Sequence, residues 1–166
     1  MKILGIDPGL QVCGYALMEA EAGREALVEA GVVRTDSEAV LEERLDQIAR
    51  DMQTLLDRFG PGVVAVEELY SHYAHPRTAI LMGHARGVIL QRCAEAGVEV
   101  RSFSATRIKK SVTGNGRASK EQVQRTVQTI LALNEPPEPN DVADAIAVAL
   151  CCANSMTSMG VEIAGR

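Results

Sequence analysis

The sequence predicts an α/β fold, a mixed five-stranded sheet with three antiparallel strands followed by two parallel ones, flanked by helices. Two observations support this class. Three β-rich runs open the chain, separated only by short turn-forming stretches, so they are expected to pair as antiparallel neighbours. After them, helical and strand patterns alternate, which is typical of crossover connections between parallel strands.

The opening strands are predicted at residues 2–7, 12–20 and 26–34. The turn between the first two contains Asp-Pro-Gly, and the turn before the third is polar around Gly23; both compositions favour chain reversal. These three runs form the predicted antiparallel half of the sheet.

The parallel half begins with a helix and a buried strand. Apolar residues recur at helical spacing from about residue 38 to residue 59, and the Gly-Pro pair that follows ends the helix. "VVAVE" at residues 63–67 is apolar on both faces, as central parallel strands are.

A second helix, from Pro76 to near Gly97, precedes a fifth strand at residues 98–103. A short helix holding "TRIKKSV" follows. The next helix is expected from about Ser119, within a capping-box sequence, and Asn140 is a good N-cap for the last helix.

Length and composition favour one soluble domain over residues 1–166, with a flexible tail in the last few residues. The chain is 46% hydrophobic and 23% charged, and no apolar run reaches the roughly 20 residues that cross a bilayer. "MKILGID" reaches an acidic residue too early for a signal peptide, and the four cysteines lack CxxC spacing. Buried, reduced thiols in a cytoplasmic protein are therefore expected.

Charge is unevenly distributed along the chain, whose formal net charge is −5. Residues 101–130 hold seven basic side chains and one acidic one, a net +6, which leaves −11 on the rest. A basic patch on an acidic body can bind phosphates locally and repel them elsewhere. The cluster predicts a restricted docking surface for a polyanion, although any single member also fits a solvated helix face.

Four acidic residues are expected to converge at one edge of the sheet. Asp7 ends the first strand and Glu67 the fourth, so both emerge at one edge if these strands are parallel neighbours. Asp141 and Asp144 lie three positions apart on a helix and hence on one face. Such a cluster needs positive charge, and Mg²⁺ or Mn²⁺ prefers hard oxygen ligands. Two such ions could activate a water and stabilise a departing oxygen.

Each acidic residue also has a purely structural interpretation. Asp7 before Pro-Gly could form a turn, Glu67 could be an exposed strand end, and Asp141 suits a helix N-terminus. Asp144 is harder to explain in this way, because it lies in an apolar stripe where an unpaired carboxylate is costly. Glu68 is expected to point away from its neighbour Glu67, because side chains alternate along a strand.

Five motifs resemble those of the RuvC-type Holliday-junction resolvases, in the same order and with similar gaps. They are "GIDPG", "VAVEELY", "GHARGV", "IKKSVTGNGRASKEQV" and "DVADAIAVA", and they span nearly the whole chain. The resemblance implies a ribonuclease H-like fold and a homodimer that nicks two opposing strands of a four-way DNA junction. It also implies Mg²⁺ or Mn²⁺, two ions in each active site, and products with 5′-phosphate and 3′-hydroxyl ends.

The family's metal-binding carboxylates, carried over by motif, fall on Asp7, Glu67, Asp141 and Asp144. Lys109 and Lys120 fall on basic residues near the scissile phosphate, and Tyr70 on an aromatic residue that stacks on a base. Further DNA contacts are expected from Arg77, Lys110 and Arg117. Residues 71–77 depart from the family pattern, which leaves the DNA sequence preference open.

The resemblance also implies partners, since members of the family usually act with a branch-migration helicase complex in recombination and repair. No membrane partner is expected. The twofold symmetry of a four-way junction suits a twofold dimer. Our hypothesis for its interface is the helix with Gly83 and Gly87, because small residues four positions apart allow another helix to approach closely.

Three other functions stay open on the sequence. Ribonuclease H-like nucleases that process RNA share the carboxylates. The actin and sugar-kinase ATPases also begin with an Asp-Gly phosphate turn, but they need a second domain that 166 residues cannot hold. A non-catalytic junction-binding module is the third, and the complete acidic set argues against it.

Overall fold

The computed structural model describes residues 1–21, 24–69 and 76–164. Within them, five strands form one sheet in the order β3-β2-β1-β4-β5. The strands are β1 (Lys2–Asp7), β2 (Val12–Glu21), β3 (Arg24–Arg34), β4 (Val63–Glu67) and β5 (Glu99–Phe103). Strands β1, β2 and β3 pair antiparallel, whereas β4 runs parallel to both β1 and β5. The predicted mixed sheet is confirmed.

Five helices connect and cover these strands. They are α1 (Leu41–Phe59), α2 (Pro76–Glu95), α3 (Ala105–Thr113), α4 (Lys120–Ile130) and α5 (Asn140–Ala164). Gly60 ends α1 in the left-handed conformation, and Ser119 and Gln122 form the expected capping box of α4. Asn140 is the first helical residue of α5, one position inside the helix rather than its N-cap, a difference within the fraying of helix ends.

The sheet separates two apolar cores because successive side chains of a strand point to opposite faces. On one face, Ile3, Val63 and Ala65 pack against α3, α4 and α5. On the other face, Leu4 and Val64 pack against α1 and α2. By the same alternation, the last residues of β1 and β4 face the layer that contains α5.

Helix α5 lies unusually close to strands β1 and β2, and two glycines make this approach possible. A Cβ atom built on Gly5 would overlap the carbonyl oxygen of Ala145 and come within 2.8 Å of the Cβ of Ala149. A Cβ on Gly14 would overlap the carbonyl oxygen of Asp141. The first turns of α5 are therefore held against the ends of β1 and β2 by backbone contact.

The remaining expectations concern the cysteines and the chain's relation to membranes. Cys13, Cys93, Cys151 and Cys152 are all buried free thiols, as predicted. No helix in the described ranges has the length and apolar character needed to span a membrane. Residues 165 and 166, on which the predicted tail falls, lie outside the described part of the chain.

We expect Gly5→Ala to destabilise the protein by about 2 to 3 kcal/mol, the usual cost of overpacking a core, because the added methyl group pushes α5 off the sheet. Chemical denaturation monitored by circular dichroism measures this cost. The matched control is Gly62→Ala, where the new Cβ would lie 3.4 Å from the flexible Met1 side chain and 3.8 Å from the backbone oxygen of Lys2, an ordinary contact distance. Equal stability of the two variants would show that α5 can shift without cost.

Candidate active site

The four acidic residues predicted from the sequence all line one cleft of about 450 Å³ at an edge of the sheet. Asp7 and Glu67 reach it from the ends of β1 and β4, and Asp141 and Asp144 from the start of α5. Two lysines, Lys109 of α3 and Lys120 of α4, complete its charged lining. The other lining residues are Pro8, Gly9, Val12, Met82, Ala105, Ile108, Val123 and Ala147.

Strand register explains why Asp7 and Glu67 are neighbours. Ile6 pairs with Val66 across the parallel β1–β4 ladder, so the next residue on each strand is one of these acids. Both side chains face α5. They lie an even number of positions along their strands from Ile3 and Ala65, which pack against that helix, and so point to the same face of the sheet. Asp7 also pairs with Gly14 on β2, the glycine whose missing side chain leaves room for the carbonyl oxygen of Asp141. Local strand geometry and the close helix contact together bring the acids into one cleft.

Burial and mutual repulsion raise the pKa of both strand-end carboxyls. Burial is the main reason that the pKa of Asp7 rises to about 8, and the charges of Asp144, Glu67 and Asp141 raise it further. Burial also dominates for Glu67, whose pKa of about 7 is raised in addition by Asp144. The cluster therefore favours binding of positive charge, either protons or a cation.

Lys120 supplies part of that positive charge from the protein itself. It is the first residue of α4, and its Nζ donates a hydrogen bond to Oδ2 of Asp144 at 3.1 Å. Burial lowers the pKa of Lys120, but attraction to Asp144 and the hydrogen bond between them outweigh that effect, so the pKa is raised. The side chain of Lys120 is 64% exposed while that of Asp144 is 21% exposed, so the ammonium group also faces the open side of the cleft.

The chemistry of the donor set fits a hard divalent cation. The cleft offers four carboxylates, which are the ligands that Mg²⁺ and Mn²⁺ favour. In the present side-chain arrangement of the described residues, no three acidic, histidine or cysteine side chains are close enough together to hold one ion. Coordination of one ion by three of these carboxylates would therefore require side-chain rotations that bring their oxygens together.

The other predicted DNA-binding residues are distributed around this cleft. Lys109 lines it, whereas Lys110, the next residue on α3, is exposed and lies outside the cleft lining. Arg117 is exposed in the loop between α3 and α4, and Arg77 is exposed at the start of α2. Tyr70 lies outside the described residues, as does most of the divergent stretch at 71–77.

Two further residues near the site are Glu68, which the sequence predicted to point away, and Arg86, which the sequence did not single out. Glu68 is exposed and does not line the cleft, as strand alternation predicts. The glycine spacing of "GHARG" does not predict the role of Arg86 in the same motif, whose Nε donates to the backbone oxygen of Glu67 at 3.1 Å. An arginine within an otherwise apolar stretch of helix is the signal that could have identified it.

A mixed sheet with acidic strand ends facing an acidic helix defines the class of this protein as a ribonuclease H-like nuclease. Residues 3–152 match the family model described as crossover junction endodeoxyribonuclease RuvC. The chain belongs to the RuvC family of crossover junction endodeoxyribonucleases.

Individual relatives agree with this assignment over nearly their whole length. The crossover junction endodeoxyribonuclease RuvC of Heliobacterium modesticaldum is 46% identical, over 95% of this chain and 96% of its own. The solved structure of Thermus thermophilus RuvC is 36% identical, with a TM-score of 0.86, and the match covers 96% of this chain and 97% of that one. T. thermophilus RuvC in complex with a Holliday junction substrate is 33% identical, with a TM-score of 0.86, over 95% of this chain and 96% of that one.

We expect Asp7→Asn to stabilise the metal-free protein at pH 8, raising Tm by about 5 °C, because it removes a carboxylate that burial and repulsion disfavour. The pKa of Asp7 is higher in the folded than in the unfolded protein. The contribution of Asp7 to wild-type stability is therefore largest at and below about pH 4 and falls as the pH rises toward 8. Thermal unfolding in a chelator across this pH range measures the effect.

The matched control for this prediction is Glu68→Gln, which removes an exposed carboxylate next to the site. Its stability should follow that of the wild type at every pH. If Asp7→Asn instead lowers Tm at pH 8 without metal, the carboxylate of Asp7 is not under repulsion.

Proposed function

We propose that this protein is a structure-selective endonuclease that resolves four-way DNA junctions by paired, symmetric, metal-dependent hydrolysis in recombination and repair. The products would carry 5′-phosphate and 3′-hydroxyl ends. The observation that carries the proposal is the convergence of four carboxylates and Lys120 in one cleft. It is supported by the structural similarity to T. thermophilus RuvC in complex with a Holliday junction substrate.

Asp7, Glu67, Asp141 and Asp144 would hold the metal, which we propose to be two ions of Mg²⁺ or Mn²⁺. When bound, the metal supplies activation of a water and stabilisation of the departing oxygen. The chain's own contribution is the placement of the ligands. Two come from rigid strand ends and two from a helix packed tightly against them.

Lys120 and Lys109 contribute positive charge where the scissile phosphate would sit. Lys120 is bonded to Asp144 but largely exposed, so its ammonium can also meet a phosphate oxygen and stabilise the negative charge that develops there. Lys109 lines the same cleft from α3 and lowers the pKa of Glu67 through its charge. We propose that both lysines act on the bound phosphate.

Binding of the junction arms would involve basic residues outside the cleft. Lys110 on α3 and Arg117 in the loop before α4 are exposed, on the part of the chain that carries the net positive charge. Arg77 is exposed at the start of α2. Contacts from such side chains to phosphates add affinity without sequence information. We propose Tyr70 as a stacking residue for a base near the crossover.

Paired cleavage requires two active sites, and we propose a homodimer formed through α2. Ile80, His84 and Gly87 lie on one face of this helix, and all three are exposed in the single chain. Ile80 is 61% exposed, and a Cβ atom on Gly87 would meet nothing within 4 Å. The apolar side chain of Ile80 and the absence of a side chain at Gly87 suit the close approach of a second helix. We also propose that the protein acts in the cytoplasm together with a branch-migration helicase complex.

We expect the wild-type protein to cut a synthetic mobile four-way junction into two nicked duplexes, and the product ends to be sealed by a ligase without prior repair. Asp7→Asn should abolish nicking and leave junction binding intact. Gel analysis of products with Mg²⁺ and with Mn²⁺, beside gel-shift binding, measures both.

Linear DNA duplex and an RNA–DNA hybrid of equal length are the matched substrates for this assay. Preference for the hybrid would favour an RNA-processing nuclease instead. Tight junction binding with no nicking in either metal would favour an inert junction-binding module, and either result would contradict the proposed function.

We expect Gly87→Trp to convert the dimer to a monomer while leaving the fold intact, because the new side chain has open space in the single chain but would obstruct a second helix. Sedimentation velocity gives the oligomeric state, and thermal unfolding gives the stability. Thr54→Trp, at an exposed position of α1, is the matched control and should remain dimeric. An undiminished dimer in Gly87→Trp would rule out this interface.

A further inference from the structure

The backbone oxygen of Glu67 lies where the sheet can no longer provide it with a hydrogen-bond donor. The N–H of Glu68 donates to the carbonyl of Phe103 on β5, so the carbonyl of Glu67, one residue earlier, points toward β1. Ile6 pairs with Val66, so the residue placed to donate to the carbonyl of Glu67 is Pro8, which directly follows the end of β1. Proline has no N–H, so the parallel ladder stops at this carbonyl.

Arg86 supplies the missing donor. Its Nε donates to the oxygen of Glu67 at 3.1 Å, and one of its terminal nitrogens donates to Oγ of Ser102 at 2.8 Å. Ser102 belongs to β5, the other neighbour of β4. A planar guanidinium can make two such bonds in fixed directions, so Arg86 joins α2, the end of β4 and β5 at one point.

Arg86 reaches Glu67 from the face of the sheet opposite to the metal-ligand side chains. Its neighbours Ala85 and Ile89 on α2 pack in the core that also contains α1, whereas the carboxylate of Glu67 points toward α5. Arg86 does not line the acidic cleft. It can therefore fix the backbone from which the carboxylate extends without occupying space that substrate would need.

We infer that Arg86 is a positioning residue for Glu67, locking the end of β4 so that the carboxylate is held in the orientation required for metal binding and hydrolysis. The expected effect on hydrolysis rests on the proposed function. The expected effect on the orientation of Glu67 rests on backbone geometry alone. Residues that orient a metal ligand from behind typically change metal affinity or activity by about 10- to 100-fold when they are removed.

The test compares the full-length wild type with Arg86→Gln, Arg86→Lys and Ser102→Ala, and uses Arg50→Gln as an arginine control. Arg50 lies on α1, and within the described ranges its side chain forms an exposed ion pair with Asp46 and a hydrogen bond to Gln47. Five quantities are measured. They are hydrogen exchange at the Glu68 amide without metal, the Mn²⁺ concentration that gives half-maximal thermal stabilisation, the single-turnover cleavage rate of bound junction, the junction Kd and the Tm.

In Arg86→Gln we expect faster exchange at Glu68, a rise of about tenfold in half-saturating Mn²⁺, and a cleavage rate about 10- to 100-fold lower with unchanged junction Kd. Arg86→Lys should recover part of each effect, because one donor can still reach Glu67. Ser102→Ala should cause a smaller change of the same kind, and no change when added to Arg86→Gln. Arg50→Gln should match the wild type.

Two results would overturn the inference. A weaker junction Kd that accounts for the lost cleavage, with unchanged Mn²⁺ dependence, would make Arg86 a DNA contact. A lower Tm with unchanged Mn²⁺ dependence and unchanged exchange at Glu68 would make it ordinary structural support. If the wild type cuts no junction, the proposed function fails, while hydrogen exchange and Mn²⁺ binding still decide whether Arg86 positions Glu67.

Discussion

The close contact between helix α5 and strands β1 and β2 is the constraint on which the candidate site depends. Gly5 and Gly14 leave no side chain between the strands and the helix backbone, so the helix is set by direct contact rather than through flexible side chains. Buried alanines on the helix face complete this contact. Asp141 and Asp144 on the helix are thereby held in fixed positions relative to the two acids on the strand ends, Asp7 and Glu67.

The same contact creates an electrostatic cost. It brings carboxylates together in a partly buried cleft, and the pKa values of Asp7 and Glu67 rise accordingly. A hydrogen bond from Lys120 to Asp144 offsets part of the repulsion. The remaining repulsion would favour binding of a cation, because a cation relieves repulsion that the fold alone maintains. Stability is thus reduced at the position where the proposed function requires charge.

The sequence predicted the architecture well because its signals were local. Alternation within strands, helical spacing and the capping residues around Ser119 are all properties of short segments. The convergence of Asp7 and Glu67 was also predictable, since it follows from strand ends and one parallel pairing.

Contacts between distant segments could not be predicted in this way. The bond between Lys120 and Asp144 joins residues 24 positions apart, and the bond between Arg86 and Glu67 joins residues 19 positions apart. Neither hydrogen bond follows from a periodic pattern in the sequence. The greater pKa rise at Asp7 than at Glu67 depends on how deeply each carboxyl is buried, which only packing determines.

The sheet also divides the protein into two layers that share few side-chain contacts. Helices α3, α4 and α5 form one core with one set of strand residues, and helices α1 and α2 form another with the alternate set. A substitution that repacks one core therefore changes side chains that the other core does not touch. The outer surface of α1 can therefore change without repacking the core behind the acidic cleft, whereas α2 is constrained by the hydrogen bonds of Arg86 and by the proposed dimer interface. A protein engineer could use the same separation to redesign one surface without rebuilding the other.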